Sequence, residues 1–329
     1  MAPLFANTQN PHILLVKTSS LGDVLHNLPV VSDIVRHHPT AQIDWIVEES
    51  YAALPGLHPA VSEVIPVAVR RWRGKLLQPA TWREISAFRR TLAARNYDVA
   101  IDTQGLLKSA LLMSGARGLR CGFDRNSARE PLAASLYQRT FPVATEQHAV
   151  ERNRQLAALV LGYALEGPAD FGIQPPTIKR PDWLAQCHYA VLLHSTSRAD
   201  KLWSEANWIA LGRFLHDKNI RCILPWGSAA EQARSMRLAD AIPDAVSPPR
   251  LNLNDAAALL GGARAVIGVD TGLAHLAAAL GVPTIGIYTA TNPSLTGLYA
   301  GRNTFNLGNI GEPPDTASVI ATLHRAAVC

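Results

Sequence analysis

Two strand-to-turn-to-helix joints, one in each half of the chain, constrain its fold more than any other feature. The first runs Leu14-Leu15-Val16-Lys17-Thr18-Ser19-Ser20-Leu21-Gly22-Asp23-Val24-Leu25-His26, and the second Val266-Ile267-Gly268-Val269-Asp270-Thr271-Gly272-Leu273-Ala274-His275. In each, an apolar run of strand length breaks at polar and glycine residues and resumes with helical spacing, as in an open parallel sheet. The remaining chain repeats this rhythm. Strands are predicted over 13–17, 43–48, 63–69 and 98–103, then over 189–194, 221–225, 265–269 and 284–288. Helices are predicted over 23–38, 81–95, 106–114 and 148–161, then over 204–216, 229–241, 254–262 and 273–280, with a last one over 316–328. The fold class is α/β, with two Rossmann-like domains expected to face each other across a cleft. A chain of 329 residues is comfortable for two domains, and at 48% hydrophobic and 17% charged content each can bury a core. Proline and glycine cluster over 166–177, where periodicity lapses, so the expected domains are 1–175 and 176–314. The helix in 315–329 is expected to pack back on the first domain.

Composition excludes several function classes. Cys121, Cys187, Cys222 and Cys329 are far apart in sequence and form no metal-binding spacing, which reads as free thiols in a reducing, cytoplasmic compartment. Residues 1–12 lack the basic start and apolar centre of a secretory signal. The stretch 273–290 is interrupted by His275, Gly281 and Pro283, so it is not expected to cross a membrane. The 11 histidines make no HxxxH or HxH pair, and neither a GxGxxG fingerprint after a strand nor a Walker A motif occurs. No metal and no cofactor are expected. The net charge of +5 fits an anionic substrate or membrane surface as well as nucleic acid. Nucleic acid is not expected as a partner, because the basic run Arg70-Arg71-Trp72-Arg73-Gly74-Lys75 is short and has no interleaved aromatic stripe.

Each candidate site residue has a structural alternative. Asp23 follows Ser19, Ser20, Leu21 and Gly22 and opens a helix, so it is either a capping carboxylate or a base at a strand's carboxyl end, where open α/β sheets hold ligands. Lys17, Ser19 and Ser20 are placed to position it. In the second joint Gly272 allows close backbone approach, and the first N–H groups of the following helix favour a pyrophosphate. Thr271 supplies a hydroxyl, and His275 stands one turn in. The alternative is capping by Asp270 or Thr271 over a buried His275. Ser195, Thr196, Ser197 and Lys201 follow another strand and suit phosphate oxygens, unless they form an exposed polar loop. Glu231 is either a ribose-binding carboxylate or an ordinary helix residue. Arg70, Arg71 and Arg73 suit carboxylates and phosphates, unless they are a solvated charge run. Arg129 is read from its pattern as an ordinary surface group.

These segments together resemble the bacterial lipopolysaccharide heptosyltransferases, two-domain glycosyltransferases of the GT-B fold. The resemblance covers nearly the whole chain and is carried by 16–26, 65–73, Asp102-Thr103-Gln104-Gly105-Leu106-Leu107-Lys108-Ser109, Ala128-Arg129-Glu130-Pro131, Gln147-His148-Ala149-Val150-Glu151-Arg152 and 269–275. It implies inverting transfer of L-glycero-D-manno-heptose from ADP-heptose to a Kdo sugar of Kdo-lipid A, by a protein peripheral at the cytoplasmic face of the inner membrane. Asp23 matches the family's base. Thr271 and Gly272 match the pyrophosphate site, with Lys201 and the loop of Ser195, Thr196 and Ser197 assisting. Glu231 matches the ribose contact, Leu251 would lie against adenine, and Asp270 and His275 match polar groups around the donor. Arg70, Arg71, Arg73 and Arg129 would meet the anionic acceptor, beside Ser19, Ser20 and Gly22. The Arg-Arg-Trp-Arg piece favours a Kdo acceptor over a heptose acceptor. A heptose acceptor and a non-catalytic nucleotide-sugar-binding protein are the competing readings. The segment Tyr288-Thr289-Ala290-Thr291-Asn292-Pro293 departs from the family's Gly-Pro-Thr-Asp-Pro-like turn.

Overall fold

The computed structural model describes residues 10–179, 181–184, 187–196, 198–301 and 303–328. Ser197 and Cys329 lie outside the described residues. The chain divides into two units, Met1–Gly172 and Ile173–Cys329, so the break falls inside the predicted linker.

The first unit runs β1 (His12–Val16), α1 (Leu21–Leu25), α2 (Leu28–His37), β2 (Gln42–Glu48), β3 (Val61–Val67), α3 (Val69–Arg73), α4 (Pro79–Ala93), β4 (Asn96–Asp102), α5 (Leu107–Met113), β5 (Arg117–Phe123), β6 (Arg139–Phe141) and α6 (Ala149–Leu161). The strands form a six-stranded sheet in the order β3-β2-β1-β4-β5-β6, every pair parallel. Val16 lies opposite Ile46 on one side and Asp102 on the other, which puts the ends of β1 and β4 level. Ile13, Leu14, Leu15 and Val16 are all fully buried, as a central parallel strand with both faces covered requires. On one face Leu14, Val16 and Ile46 pack with Trp72, Phe88 and Leu92. On α6, Arg154 donates to both oxygens of Asp33 on α2 at 2.7 and 3.2 Å, with both side chains nearly fully buried.

The helix predicted over 23–38 is two helices. Pro29 stands in the first turn of α2; it has no N–H to give a continuing ladder, and its ring would crowd the preceding turn, so the chain restarts there. The strands β5 and β6 were not predicted. Arg117, Gly118 and Arg120 break the apolar pattern of β5, and β6 has three residues.

The second unit runs β7 (Tyr189–Leu193), α7 (Glu205–Asp217), β8 (Arg221–Ile223), α8 (Ala229–Ala241), α9 (Leu253–Gly261), β9 (Ala265–Val269), α10 (Gly272–Ala279), β10 (Thr284–Tyr288), α11 (Pro293–Thr296), β11 (Thr304–Gly308) and α12 (Thr316–Arg325). Its sheet order is β11-β10-β9-β7-β8, again parallel. The core joins Leu192, Trp203, Trp208, Leu215, Ile267 and Ile287. Val319 and Leu323 of α12, with Val328 beyond it, are buried in this same core. The apolar face of the last helix thus belongs to the second unit, where the sequence expectation had it turned to the first.

In each sheet the chain reverses its direction of growth once, between β1 and β4 in the first unit and between β7 and β9 in the second. At such a point the loops leaving the two strands diverge to opposite faces and leave a crevice at the carboxyl ends. Both predicted site clusters sit there.

Candidate active site

In the first unit the loops after β1 and β4 are tied together by side chains. Gln104 accepts from Thr18 N and Thr18 Oγ1, both at 2.7 Å, and its Nε2 donates to Ser19 O at 2.7 Å. Lys17 Nζ donates to Thr103 O at 2.8 Å and Asn153 Oδ1 at 3.3 Å. From this platform α1 starts with Asp23 in its first turn. Ser20 N and Ser20 Oγ both donate to Asp23 Oδ2, at 2.7 and 2.9 Å. Asp23 is half-exposed, and among the described residues its Oδ1 takes no protein hydrogen bond. The side chain therefore caps its own helix with one oxygen and presents the other.

Cations surround this carboxylate without pairing to it. Burial lowers the Lys17 pKa, while Asp23 and Asp102 oppose that shift and Arg129 and Arg152 add to it. Burial also lowers Lys108, which Glu48 and Asp23 oppose and Arg70 and Arg73 reinforce. The two lysines thus share one electrostatic field with Asp23, Arg70, Arg73 and Arg129. Arg70 and Arg73 are carried on α3, where Glu48 Oε1 accepts from Arg70 N at 3.1 Å. Arg70 also lies over the Tyr51 ring at 5.3 Å. Arg129 is exposed and follows Ala128, against which Gly105 packs closely. An anion of more than one charge suits such a surface.

Two predicted acceptor residues are placed differently from expectation. Ser19 is buried and its Oγ accepts from Lys108 Nζ at 2.9 Å, so it anchors a lysine while Ser20 alone holds Asp23. Arg71 is bound by Glu49 and Glu84 at 3.1 and 2.9 Å on the surface. Gly22 lies within the first turn of α1, where its carbonyl accepts from His26 N at 2.9 Å.

In the second unit Asp270, at the end of β9, is the hub. Lys201 Nζ donates to its Oδ2 at 2.6 Å and Thr291 Oγ1 to the same oxygen at 2.8 Å. Thr196 Oγ1 donates to its carbonyl at 3.1 Å, joining the loops after β7 and β9. His275 Nε2, buried on α10, stands 3.9 Å from Oδ1. Burial alone would raise this carboxyl's pKa, but nearby His275, the hydrogen bonds from Lys201 and Thr291 and the charge of Lys201 hold it well below the usual carboxylate range. Thr271 takes the N-cap position of α10 without a side-chain capping bond, and Gly272 is the first helical residue. Gly272 has no left-handed φ, so what it offers is the missing Cβ at the helix mouth. Half-exposed Thr271 and Gly272 stand at the start of α10 beside the Asp270–Lys201 pair, and helix-start N–H groups next to a cation suit an anion. Ser195 Oγ is engaged with His194 Nδ1 at 2.7 Å.

Glu231 closes a capping box with Ser228. Its Oε2 accepts from Gly227 N at 2.7 Å and Ser228 N at 3.2 Å, while Ser228 Oγ accepts from Glu231 N at 3.3 Å. The structural alternative for Glu231 is thus met, and Oε1 is left for any ribose contact. Leu251 lines a cleft of about 580 Å³ with Pro249, Arg250, Asp255 and Leu259.

Sequence reasoning assigned no role to Gln104, Lys108, Asp102 or Thr291. The first three lie in a segment quoted for its resemblance, and their spacing alone did not show that they face the loop after β1. Asp102 is fully buried, with Tyr137 Oη donating at 2.7 Å and the Gln104 and Gly105 N–H groups at 2.8 and 3.2 Å. Thr291 lies in the departing segment, so that segment contributes a bond to the hub. Among the described residues no group of three or more His, Cys, Asp and Glu is placed to hold a metal ion. No helix among them is long and apolar enough to cross a membrane.

The family model described as glycosyltransferase family 9 (heptosyltransferase) matches residues 85–321. Lipopolysaccharide heptosyltransferase 1 of Pseudomonas aeruginosa is 49% identical over 299 residues, which are 90% of this chain and 83% of that protein. The structure of E. coli heptosyltransferase WaaC with ADP is similar with a TM-score of 0.89 at 42% identity, covering 96% of this chain and 99% of the other. WaaC with ADP-2-deoxy-2-fluoro heptose gives a TM-score of 0.86 at 41% identity over 95% and 99% of the two chains.

Proposed function

The chain belongs to glycosyltransferase family 9, the heptosyltransferases, and we propose that it moves L-glycero-D-manno-heptose from ADP-heptose to Kdo of Kdo-lipid A, with inversion at the anomeric carbon, in synthesis of the lipopolysaccharide inner core. Heptosyltransferase 1 relatives and the ADP-bound structures of one such enzyme support the donor and the pathway. One observation carries the choice of base. Asp23 presents a carboxylate oxygen with no protein partner among the described residues, at the carboxyl end of a sheet and amid cations that would hold an anionic acceptor.

Asp23 takes the proton of the Kdo hydroxyl as that oxygen attacks C1 of the heptose. Arg70, Arg73 and Arg129 hold the acceptor's carboxylates and phosphates, and Ser20 keeps Asp23 in place. On the donor side the start of α10, with Thr271 and Gly272, binds the diphosphate. Lys201 offsets the charge that grows on ADP as it leaves. Asp270 orients Lys201, Thr196 and Thr291. Glu231 takes the ribose through Oε1, and Leu251 lies against adenine. The reading is metal-independent, because Lys201 and the helix start supply the positive potential. Since the acceptor's lipid is held in a bilayer, the protein works peripherally at the cytoplasmic face of the inner membrane.

The test is ADP release from ADP-heptose with and without Kdo-lipid A, in EDTA. Release that depends on the acceptor and survives EDTA supports the reading. Donor binding with no acceptor-dependent release overturns the acceptor assignment, and release abolished by EDTA and restored by a divalent ion overturns metal independence.

A further inference from the structure

The loop 74–78 between α3 and α4 puts large apolar side chains into solvent. Leu77 is 101% exposed, Trp82 56% and Leu76 49%. Scattered single exposures are ordinary, but a cluster of this kind marks a contact surface. This cluster is rigidly built. Lys75 N donates to Trp72 O at 2.9 Å, Gln78 N to Lys75 O at 3.0 Å and Thr81 Oγ1 to Lys75 O at 2.9 Å. Trp82 Nε1 donates to Leu76 O at 2.8 Å, so the indole's one polar group is used inside the loop and the ring faces out apolar. Trp72, buried beneath with Nε1 on Glu84 at 2.7 Å, fixes the base.

The charge around this cluster is predominantly positive. Residues 70–90 hold Arg70, Arg71, Arg73, Lys75, Arg83, Arg89 and Arg90 against the single acid Glu84. Arg73, Lys75, Arg83, Arg89 and Arg90 are all exposed. Leucine and tryptophan tips ringed by lysine and arginine insert into the headgroup boundary while the cations meet anionic lipid. The other exposed apolar residues, such as Leu132 and Ile310, lie outside this basic run.

We propose that the loop 74–78 together with Trp82 is the surface by which the protein docks on an anionic lipid bilayer. This rests on the reading of a lipid-borne acceptor, and it places the contact next to Arg70 and Arg73. The experiment is co-sedimentation of the full chain with vesicles of phosphatidylethanolamine and phosphatidylglycerol, or of phosphatidylcholine alone. Neither donor nor acceptor is present, so its outcome is independent of whether sugar transfer is seen. The wild type is expected to partition onto the anionic vesicles, more weakly at high salt, and little onto the zwitterionic ones. The double variant Leu76→Ser/Leu77→Ser is expected to lose about tenfold in partition, from the apolar surface removed, with ADP affinity retained. Lys75→Glu/Arg83→Glu is expected to lose binding to anionic vesicles, while Ile310→Ser changes nothing. The proposal is overturned if Leu76→Ser/Leu77→Ser partitions like the wild type, if Ile310→Ser loses as much, or if the two vesicle types bind equally.

Discussion

Asp23 and Asp270 stand at corresponding places, each in the crevice where its sheet changes direction, yet their neighbours give them opposite chemistry. Asp23 accepts two bonds, both from Ser20 and neither from a cation. Asp270 accepts from Lys201 and Thr291, and these with His275 hold its carboxyl well below the usual range against the effect of burial. A carboxylate held that way keeps its charge and orients the groups bound to it; it does not take protons. Asp102 is instructive as a third case. Burial raises its pKa, but Tyr137, Gln104 and Gly105 occupy it and it has no exposure. A perturbed carboxyl often marks a catalytic group; here it marks a structural tie to Tyr137 and the loop after β4.

Exchanging the two carboxylates for amides is the strongest way to break this comparison. Asp23→Asn is expected to lower kcat by about 10²–10⁴-fold, the range for loss of a general base, with ADP affinity by calorimetry unchanged. Asp270→Asn is expected to act on the donor. It removes a charged partner from Lys201, so donor KM should rise by about 10–100-fold, with a smaller effect on kcat. If Asp270→Asn abolished kcat while Asp23→Asn kept it, the roles assigned here would be reversed.

How much of this was legible in the sequence differs between the two crevices. The strand-turn-helix joints announced both, because Leu14–Val16 and Val266–Val269 are apolar runs that stop at polar turns. The crevice of the second unit was legible nearly in full as a cluster, since Asp270, Thr271 and His275 sit on that joint and Thr196 and Lys201 follow another predicted strand. Thr291 was not, because a hydroxyl in a connecting loop has no periodicity to show which way it points. The crevice of the first unit was legible only at Asp23 and the arginines. Gln104 and Lys108 reach Thr18 and Ser19 across 85 to 89 residues of sequence, a distance only the strand order β1-β4 removes. Helix and cap roles were open for Asp23 and Glu231, and both side chains turn out to cap with one oxygen and present the other. Strand β5 escaped because arginines and a glycine interrupt its alternation, and the edge strand β6 because it has only three residues.

Removing the phenol from Asp102 sharpens the distinction between tie and base. Tyr137→Phe leaves a buried carboxyl oxygen without its donor, at a cost of about 1–3 kcal/mol. The midpoint of urea unfolding should fall accordingly, while the pH dependence of kcat stays that of the wild type. A shifted kcat profile in Tyr137→Phe would make Asp102 a participant in proton transfer.

The smallest expected effect compares the residues that directly follow the first strand of each sheet, Lys17 and His194. Both are buried, and burial pushes both toward the neutral form. Lys17 has Asp23 and Asp102 to favour its charge. For His194 burial comes first, Arg234 and Arg237 add to it, and only Glu205 opposes, which takes the imidazole down to about 4. The unfolded chain keeps a histidine near the ordinary 6.5. Between those values the unfolded state binds one proton more than the folded state, so stability rises with pH. The contribution is complete above the unfolded value and is lost as pH falls toward the folded one, by at most about 1.4 kcal/mol per pH unit. The second unit should therefore lose about 1–2 kcal/mol through this group between pH 7 and 5, and unfolding followed by the buried Trp203 and Trp208 reads it. In His194→Leu that part of the pH dependence should vanish. Equal losses in variant and wild type would place the titration elsewhere and leave the two strand-end residues with no electrostatic difference that stability can detect.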